Sequence, residues 1–65
     1  MFELVVNGLV IDSFPTFEAA DEKMDSIMRK NGYTVFRVEF SYYAIARFHW
    51  QKAGGPYALV EIRDT

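Results

Sequence analysis

The segment SYYAIARFHW, residues 41–50, decides the fold of this 65-residue chain, because its composition fits either a strand or a helix. Ser41 can cap a helix, and Ala44, Ala46 and Arg47 are good to fair helix formers. The aromatic residues and Ile45 oppose a helix, since their χ1 freedom is restricted there. As a strand, the segment alternates in face and forms a hairpin with residues 57–64 across the turn at residues 52–56. The strand is favoured, and the helix remains an alternative.

The first residues of the chain predict a second β-hairpin. The runs FELVV and LVIDS flank Asn7-Gly8, a pair typical of type I′ turns because both positions need a positive φ. A two-residue loop fixes the pairing of the strands. The predicted pairs are Val6 with Leu9, Val5 with Val10, Leu4 with Ile11, and Glu3 with Asp12.

A helix is predicted over residues 17–30, with Thr16 as its N-cap and Asn31-Gly32 as its end. Acidic residues lie near its start and Arg29 and Lys30 near its end, as the helix dipole favours. An apolar stripe at helical spacing is formed by Phe17, Ala20, Met24, Ile27 and Met28.

The alternating segments YTVFRVEF and YALVEIRD predict two further strands at residues 33–40 and 57–64. We therefore predict an α+β fold in which one helix packs on an antiparallel sheet of four or five strands, in the order ββαβββ. The alternative order is ββαβαβ, in which residues 41–52 are helical. The residues predicted to face the helix are Phe2, Leu4, Val6, Leu9, Ile11, Phe36, Val38, Phe40, Ala44, Ala46, Phe48, Val60 and Ile62, with Trp50 at the end of that face.

The other sheet face is predicted to carry more apolar side chains than a solvated surface needs. Its apolar or amphipathic members are Val5, Val10, Val35, Tyr43, Ile45, Tyr57 and Leu59, interspersed with Arg37, Arg47, His49, Glu61 and Arg63. Tyrosine, arginine and aliphatic residues mixed in this way are typical of interface centres. We predict a partner-binding surface formed by Arg37, Tyr43, Ile45, Arg47, His49, Tyr57 and Leu59. Alternatively, these are isolated exposed side chains of no functional significance.

Composition argues against several classes of function. The chain has no cysteine and one histidine, which excludes disulfides and thiolate sites and leaves no histidine-rich metal site. His49 is the only candidate general base, and no nucleophile and orienting group can be placed beside it. The turn glycines fit no phosphate-binding loop. We therefore expect no cofactor, no metal and no enzymatic activity. The acidic N-terminal segment and the lack of a long apolar run predict a cytoplasmic protein without a membrane span.

Charge is unevenly distributed along the chain. Residues 1–26 carry six acids and one base, a balance of −5, whereas residues 27–65 carry six bases and three acids, a balance of +3. A second, acidic docking patch is predicted at Glu18, Asp21, Glu22 and Asp25; a solvated helix face is the simpler interpretation. The net charge of −2 and pI near 5.2 disfavour nucleic-acid binding, although Tyr43, Arg47 and His49 could stack on single-stranded bases.

The hairpin VVNGLV, the helix start PTFEAADE and the strand NGYTVFRVEF resemble, in layout, very small phage-encoded proteins that bind and inhibit bacterial host proteins. The layout is similar to that of the small transcription inhibitors of T7-like phages. The resemblance covers residues 2–40, residues 41–65 have no counterpart in it, and it implies no particular functional residue. It implies a non-enzymatic protein–protein interaction module that occupies a surface of a host protein. The alternatives are a homodimer formed through the open sheet face and a single-stranded nucleic-acid binder.

Overall fold

The computed structural model describes residues 1–40 and 45–65, which form one helix and a five-stranded antiparallel sheet. The elements are β1 (Phe2–Val6), β2 (Leu9–Phe14), α1 (Phe17–Lys30), β3 (Tyr33–Phe40), β4 (Ala46–Lys52) and β5 (Tyr57–Asp64). The strand order across the sheet is β2-β1-β5-β4-β3. The α+β fold and the order ββαβββ are thus confirmed. Residues 46–52 form a strand and not a helix. This strand extends to Lys52, which had been predicted to begin the following turn. Residues 41–44 lie outside the described residues.

The β1–β2 hairpin has the predicted turn, because Asn7 and Gly8 have φ values of 50° and 84°. The two pairs next to the turn, Val6 with Leu9 and Val5 with Val10, are confirmed. Beyond them the predicted pairing is wrong. A bulge at Ile11 places Asp12 opposite Leu4 and Ser13 opposite Glu3, since an extra residue in one strand shifts every later pair by one position.

Helix α1 has the predicted bounds and ends. The Thr16 hydroxyl accepts a hydrogen bond from the Ala19 backbone N–H at 3.1 Å, and this satisfies one of the donors left unpaired at a helix N-terminus. Gly32, just after the helix, has a φ of 83°, a conformation that glycine adopts without strain. Three residues of the predicted apolar stripe are buried, namely Ala20, Met24 and Met28.

The core lies between α1 and the central strands β1, β5 and β4. Its largest fully buried side chains on this side of the sheet are Trp50, Leu4, Ile62 and Val60. The predicted alternation of β4 is confirmed, because Ala46, Phe48 and Trp50 all belong to the core. Burial of a tryptophan side chain of about 200 Å² contributes about 5 kcal/mol to folding, and the buried indole N–H of Trp50, which has no hydrogen-bond partner among the described residues, offsets about 1–3 kcal/mol of it. Trp50 is therefore a principal stabilising residue of this small sheet.

Strand β3 differs from its predicted faces because Phe36 forms a second bulge. Val35 pairs with Trp50 and Arg37 pairs with His49, so Phe36 has no partner of its own in β4. Tyr33 and Val35 pack against the core, whereas they had been predicted on the opposite face. Phe36 had been predicted in the core and instead lies on the other face. Val38 and Phe40 pair with core residues of β4, as predicted for helix-facing positions.

The helix crosses the sheet diagonally and leaves two corners uncovered. At its start Phe17 packs edge to face on Phe2 of β1, with ring centroids 6.1 Å apart, and near its end the Arg29 guanidinium lies 5.8 Å from the centre of the Trp50 ring. Leu9 at one remaining corner and Val38 and Phe40 at the other are exposed. Leu9, Val38 and Phe40 thus lie on the predicted side of the sheet, but α1 does not cover them, and Ile11 is exposed as well.

Candidate partner-binding surface

No described element packs on the sheet face opposite α1, and we call this side the open face. The ladder pairings place on it Glu3 and Val5 of β1, Val10 of β2, Arg37 and Glu39 of β3, Arg47 and His49 of β4, and Leu59, Glu61 and Arg63 of β5. Residues directly opposite each other in a ladder share a face. Tyr57 and the bulged Phe36 join this set, because their rings lie beside the His49 ring.

An aromatic cluster of Phe36, His49 and Tyr57 forms one part of the open face. The ring centroids are 6.0 Å apart for Phe36 and His49, 6.1 Å for Phe36 and Tyr57, and 5.8 Å for His49 and Tyr57. These separations lie in the range of favourable aromatic pairs. Phe36 is nevertheless 60% exposed. The cluster therefore presents a large apolar surface to solvent.

Hydrogen bonds fix the polar atoms of this cluster. His49 Nδ1 lies 2.5 Å from the Tyr57 hydroxyl oxygen, and His49 Nε2 lies 2.5 Å from Glu39 Oε1. In the neutral tautomer with a proton on Nε2, the imidazole donates to Glu39 and accepts from Tyr57. The hydrogen bond from His49, helped by the charge of Arg37, lowers the pKa of Glu39 below its ordinary value, although desolvation acts in the opposite sense. The histidine and tyrosine rings are thus held in one orientation.

A second cluster on the open face consists of two arginines on one carboxylate. Arg47 Nε donates to Glu61 Oε2 at 3.0 Å, and Arg63 Nη2 donates to Glu61 Oε1 at 2.6 Å. Glu61 is buried. Burial alone would raise the pKa of Glu61, but the hydrogen bonds from Arg63 and Arg47 outweigh it, so that the pKa is lowered. Glu61 therefore stays ionised and holds both guanidinium groups.

The open face is close to electrically balanced. Its arginines are Arg37, Arg47 and Arg63, and its carboxylates are Glu3, Glu39 and Glu61. Arg37 Nη2 lies 3.4 Å from Glu39 Oε2, so Glu39 binds His49 through one oxygen and Arg37 through the other. Glu39 and Glu61 thus each bind two side chains, Glu39 those of His49 and Arg37 and Glu61 those of Arg47 and Arg63.

Five of the seven predicted contact residues lie together on the open face: Arg37, Arg47, His49, Tyr57 and Leu59. Ile45 lies one residue before β4 and is half-buried. Tyr43 lies outside the described residues. Of the other residues predicted on this face, Val5 is on it but fully buried between Val10 and Glu61, and Val35 packs against the core on the other side.

Sequence reasoning did not include Phe36, Glu39 and Glu61 among the contact residues. Phe36 was missed because strict alternation in YTVFRVEF gives no sign of a bulge. Glu61 had a usable signal, since it alternates in phase with Arg63 on a strand predicted to pair with the segment that carries Arg47. Glu39 alternates in phase with Arg37 on its own strand. Opposite charges on one face of neighbouring strands favour ion pairs.

The predicted acidic patch lies on α1, on the far side of the sheet from the open face. Glu18 and Glu22 are exposed, and Asp21 and Asp25 are half-exposed. Desolvation, followed by the charges of Asp25, Glu22 and Glu18, raises the pKa of Asp21. Asp25 accepts a hydrogen bond from Arg29 at 2.8 Å, an i,i+4 pair of a few tenths of a kcal/mol.

Comparison of the chain with protein-family models, with curated proteins and with solved structures gave no match. Within residues 1–40 and 45–65, no helix is both long and apolar enough to cross a bilayer.

Proposed function

We propose that this protein is a non-enzymatic interaction module that binds another protein through the open face. The observation that carries the proposal is the exposed aromatic cluster of Phe36, His49 and Tyr57 next to arginines held in place by carboxylates. Aromatic and arginine side chains contribute most of the binding energy in many interfaces. A surface whose side chains are already fixed also loses less entropy when a partner binds.

The resemblance to small phage-encoded inhibitors supports one kind of partner, a bacterial host protein whose working surface the open face occupies. In this proposal the protein acts by steric occlusion and needs no cofactor. The Tyr57–His49–Glu39 hydrogen-bond series has the hydroxyl, imidazole and carboxylate order of a hydrolase triad. It lies on an open sheet surface, and the described residues enclose no cavity around it, whereas catalytic groups usually converge in a cleft that holds the substrate. We therefore propose an orienting role for His49.

The paired arginines favour a protein over a nucleic acid as the partner. Binding of a phosphate backbone relies on an excess of basic side chains. On the open face Arg47 and Arg63 bind Glu61 and Arg37 lies beside Glu39, so their charges are partly neutralised. Stacking on Phe36 and Tyr57 alone would bind single-stranded bases only weakly at physiological salt.

The proposal is tested by capture of proteins from nuclease-treated bacterial lysate, with bound proteins identified by mass spectrometry. Phe36→Ala is compared with Phe40→Ala, because Phe36 and Phe40 are both exposed residues of β3 that lie on opposite faces. We expect Phe36→Ala to weaken capture of a specific protein at least about tenfold, the effect of a typical interface hot spot. Phe40→Ala should capture it as the wild type does.

Charge reversal provides a second comparison in the same experiment. Arg47→Glu places a negative charge beside Glu61 on the open face, whereas Lys30→Glu makes the same change in charge on α1. We expect Arg47→Glu to lose the partner and Lys30→Glu to retain it, with both variants folded by circular dichroism. Equal loss or equal retention in both variants would contradict binding through the open face. Capture that requires intact nucleic acid would favour the nucleic-acid alternative.

A homodimer through the open face is the second candidate, and the charge balance of that face favours it. A surface with three arginines and three glutamates can meet a second copy of itself without net repulsion. Sedimentation velocity over a dilution series separates the two functions. A dimer that persists to low concentration and is broken by Phe36→Ala, but not by Phe40→Ala, indicates self-association. A monomer at all concentrations leaves the open face available to another protein.

A further inference from the structure

We propose that Arg47 and Arg63, held by Glu61, form a two-guanidinium site for the carboxylate side chains of an acidic segment of the protein partner. This inference rests on the proposed function, because it names the chemistry of the partner that the open face binds. Glu61 is in this scheme a positioning residue: it acts on the partner through the two arginines.

The geometry of the three side chains supports such a site. Arg47 lies directly opposite Glu61 in the β4–β5 ladder, and Arg63 lies two positions further along β5 on the same face. Arg47 donates a hydrogen bond to one carboxylate oxygen of Glu61, and Arg63 donates to the other. A guanidinium has five N–H donors, so each arginine keeps most of its donors for a ligand. Guanidinium groups bind carboxylates in a planar, bidentate arrangement.

Burial makes the solvent side of this cluster positive. The Glu61 side chain is 10% exposed, whereas those of Arg47 and Arg63 are 51% and 41% exposed. The carboxylate of Glu61 offsets one of the two guanidinium charges, and it lies on the buried side of the two arginines. A partner that approaches from solvent therefore meets two fixed guanidinium groups, with the carboxylate of Glu61 beneath them.

Two neighbouring carboxylates lower the net charge around the pair, but among the described residues only Glu61 hydrogen-bonds to Arg47 or Arg63. Glu39 lies opposite Arg47 on β3, but its two oxygens already bind His49 and Arg37. Glu3 lies opposite Arg63 on β1, at the flank of the pair. With Glu3, Glu39 and Glu61 on the same face, the site fits a few carboxylates better than a continuous phosphate backbone, which requires a basic stripe.

The experiment uses two synthetic octapeptides as probes: one alternates glutamate with leucine, and the other has glutamine in place of each glutamate. Each is titrated into the ¹⁵N-labelled protein while the backbone amide and arginine Nε–Hε signals are followed by NMR. We expect the acidic peptide, and not the glutamine peptide, to shift the Nε–Hε signals of Arg47 and Arg63. Lys30→Gln on α1 should bind like the wild type, whereas Arg47→Gln, with the same change in charge, should not.

Glu61→Gln separates positioning from charge. It makes the protein less negative by one unit, so charge alone predicts tighter binding of the acidic peptide. If Glu61 positions the arginines, binding should instead weaken about tenfold, since two mobile arginine side chains must be ordered on binding. In the unliganded variant, the Nε–Hε group of Arg47 should show increased motion while the backbone spectrum stays folded. If Glu61→Gln does not fold, Arg63→Gln is compared with Lys30→Gln on α1, which makes the same change in charge. Equal binding by these two variants would contradict a site that needs both guanidinium groups.

Four results would overturn this inference. Tighter binding by Glu61→Gln would show that charge alone acts. Equal shifts from both peptides at Phe36 and Tyr57 would show binding without carboxylate recognition, and the proposed function would remain. If neither peptide shifts the open face, the inference fails, and the lysate capture decides the proposed function separately. Stronger shifts of the arginine signals with oligothymidylate than with the acidic peptide would assign the site to nucleic acid.

Discussion

Deletion of Phe36 should leave the fold intact, because the bulge is the only irregularity between Val35 and Arg37. In the β3–β4 ladder Val35 pairs with Trp50 and Arg37 with the next residue, His49. Without Phe36 these two residues become neighbours in the chain, and every other pair keeps its partner and its face. Removal of the bulge makes the ladder regular and adds one backbone hydrogen bond, which contributes about 1 kcal/mol to stability. Loss of the two exposed ring contacts of Phe36 costs about as much.

We therefore expect the unfolding free energy to change by less than about 1 kcal/mol, and the Tm by less than about 8 °C for a domain of this size. The matched control is deletion of Thr34, two residues earlier on the same strand. There, either Tyr33 must leave the core or Phe36 must occupy the place of Val35 beside Trp50. Overpacking of this kind costs about 2 kcal/mol, which lowers the Tm by roughly 8–16 °C.

Thermal unfolding followed by circular dichroism measures both Tm values, and cross-strand NOEs report whether Arg37 still pairs with His49. A Phe36 deletion that unfolds the domain, or lowers the Tm as far as the Thr34 deletion does, would falsify the assignment of Phe36 as the bulge residue. Loss of partner capture by the folded deletion variant would agree with the proposed role of this ring.

Three further predictions concern stability. The pKa values of Glu39 and Glu61 are lowered in the folded state, so their stabilising contributions are present above the ordinary glutamate pKa and are lost as the pH falls through the lowered values. When the pH is lowered below about 4.5, the Tm should therefore decrease, and it should decrease less steeply in Glu39→Gln. The raised pKa of Asp21 has the opposite sign, so its charged form destabilises the fold as the pH rises; Asp21→Asn should raise stability at pH 7 by a few tenths of a kcal/mol, a gain that thermal melts should lose at pH 3. Thr16→Ala removes the N-cap and should cost about 1 kcal/mol in urea unfolding, whereas Thr16→Ser should cost less.

The sequence predicts those parts of the fold that depend on local chemistry. The turn at Asn7-Gly8 and the N-cap at Thr16 follow from preferences of single residues for particular backbone conformations. The buried face of β4 follows from alternation, because Ala46, Phe48 and Trp50 lie on a regular strand. These features need no knowledge of distant parts of the chain.

The bulges at Ile11 and Phe36 could not be predicted, because each depends on the length of strand that the partner offers. Their effect extends beyond one position. The bulge at Phe36 moves an aromatic ring onto the open face and moves Tyr33 and Val35 into the core. The exposure of Val38 and Phe40 depends likewise on the diagonal path of α1, which is a property of the assembled sheet. The open face thus carries the predicted Arg37, Arg47 and His49, together with Phe36, Glu39 and Glu61, which had not been predicted as contact residues. That this face contacts a partner stays a prediction.

The strand order has a consequence for synthesis of the chain. The hairpins β1–β2 and β3–β4 share no ladder, and β5 joins them by pairing with β1 on one side and β4 on the other. On the ribosome, β5 (residues 57–64) is the last of these strands to emerge. Until then, the nascent chain exposes two separate hairpins, and the edges of β1 and β4 that later pair with β5 are unpaired. Such edges are prone to mispairing. Folding of the sheet is therefore expected to follow release of β5 from the exit tunnel rather than to proceed strand by strand.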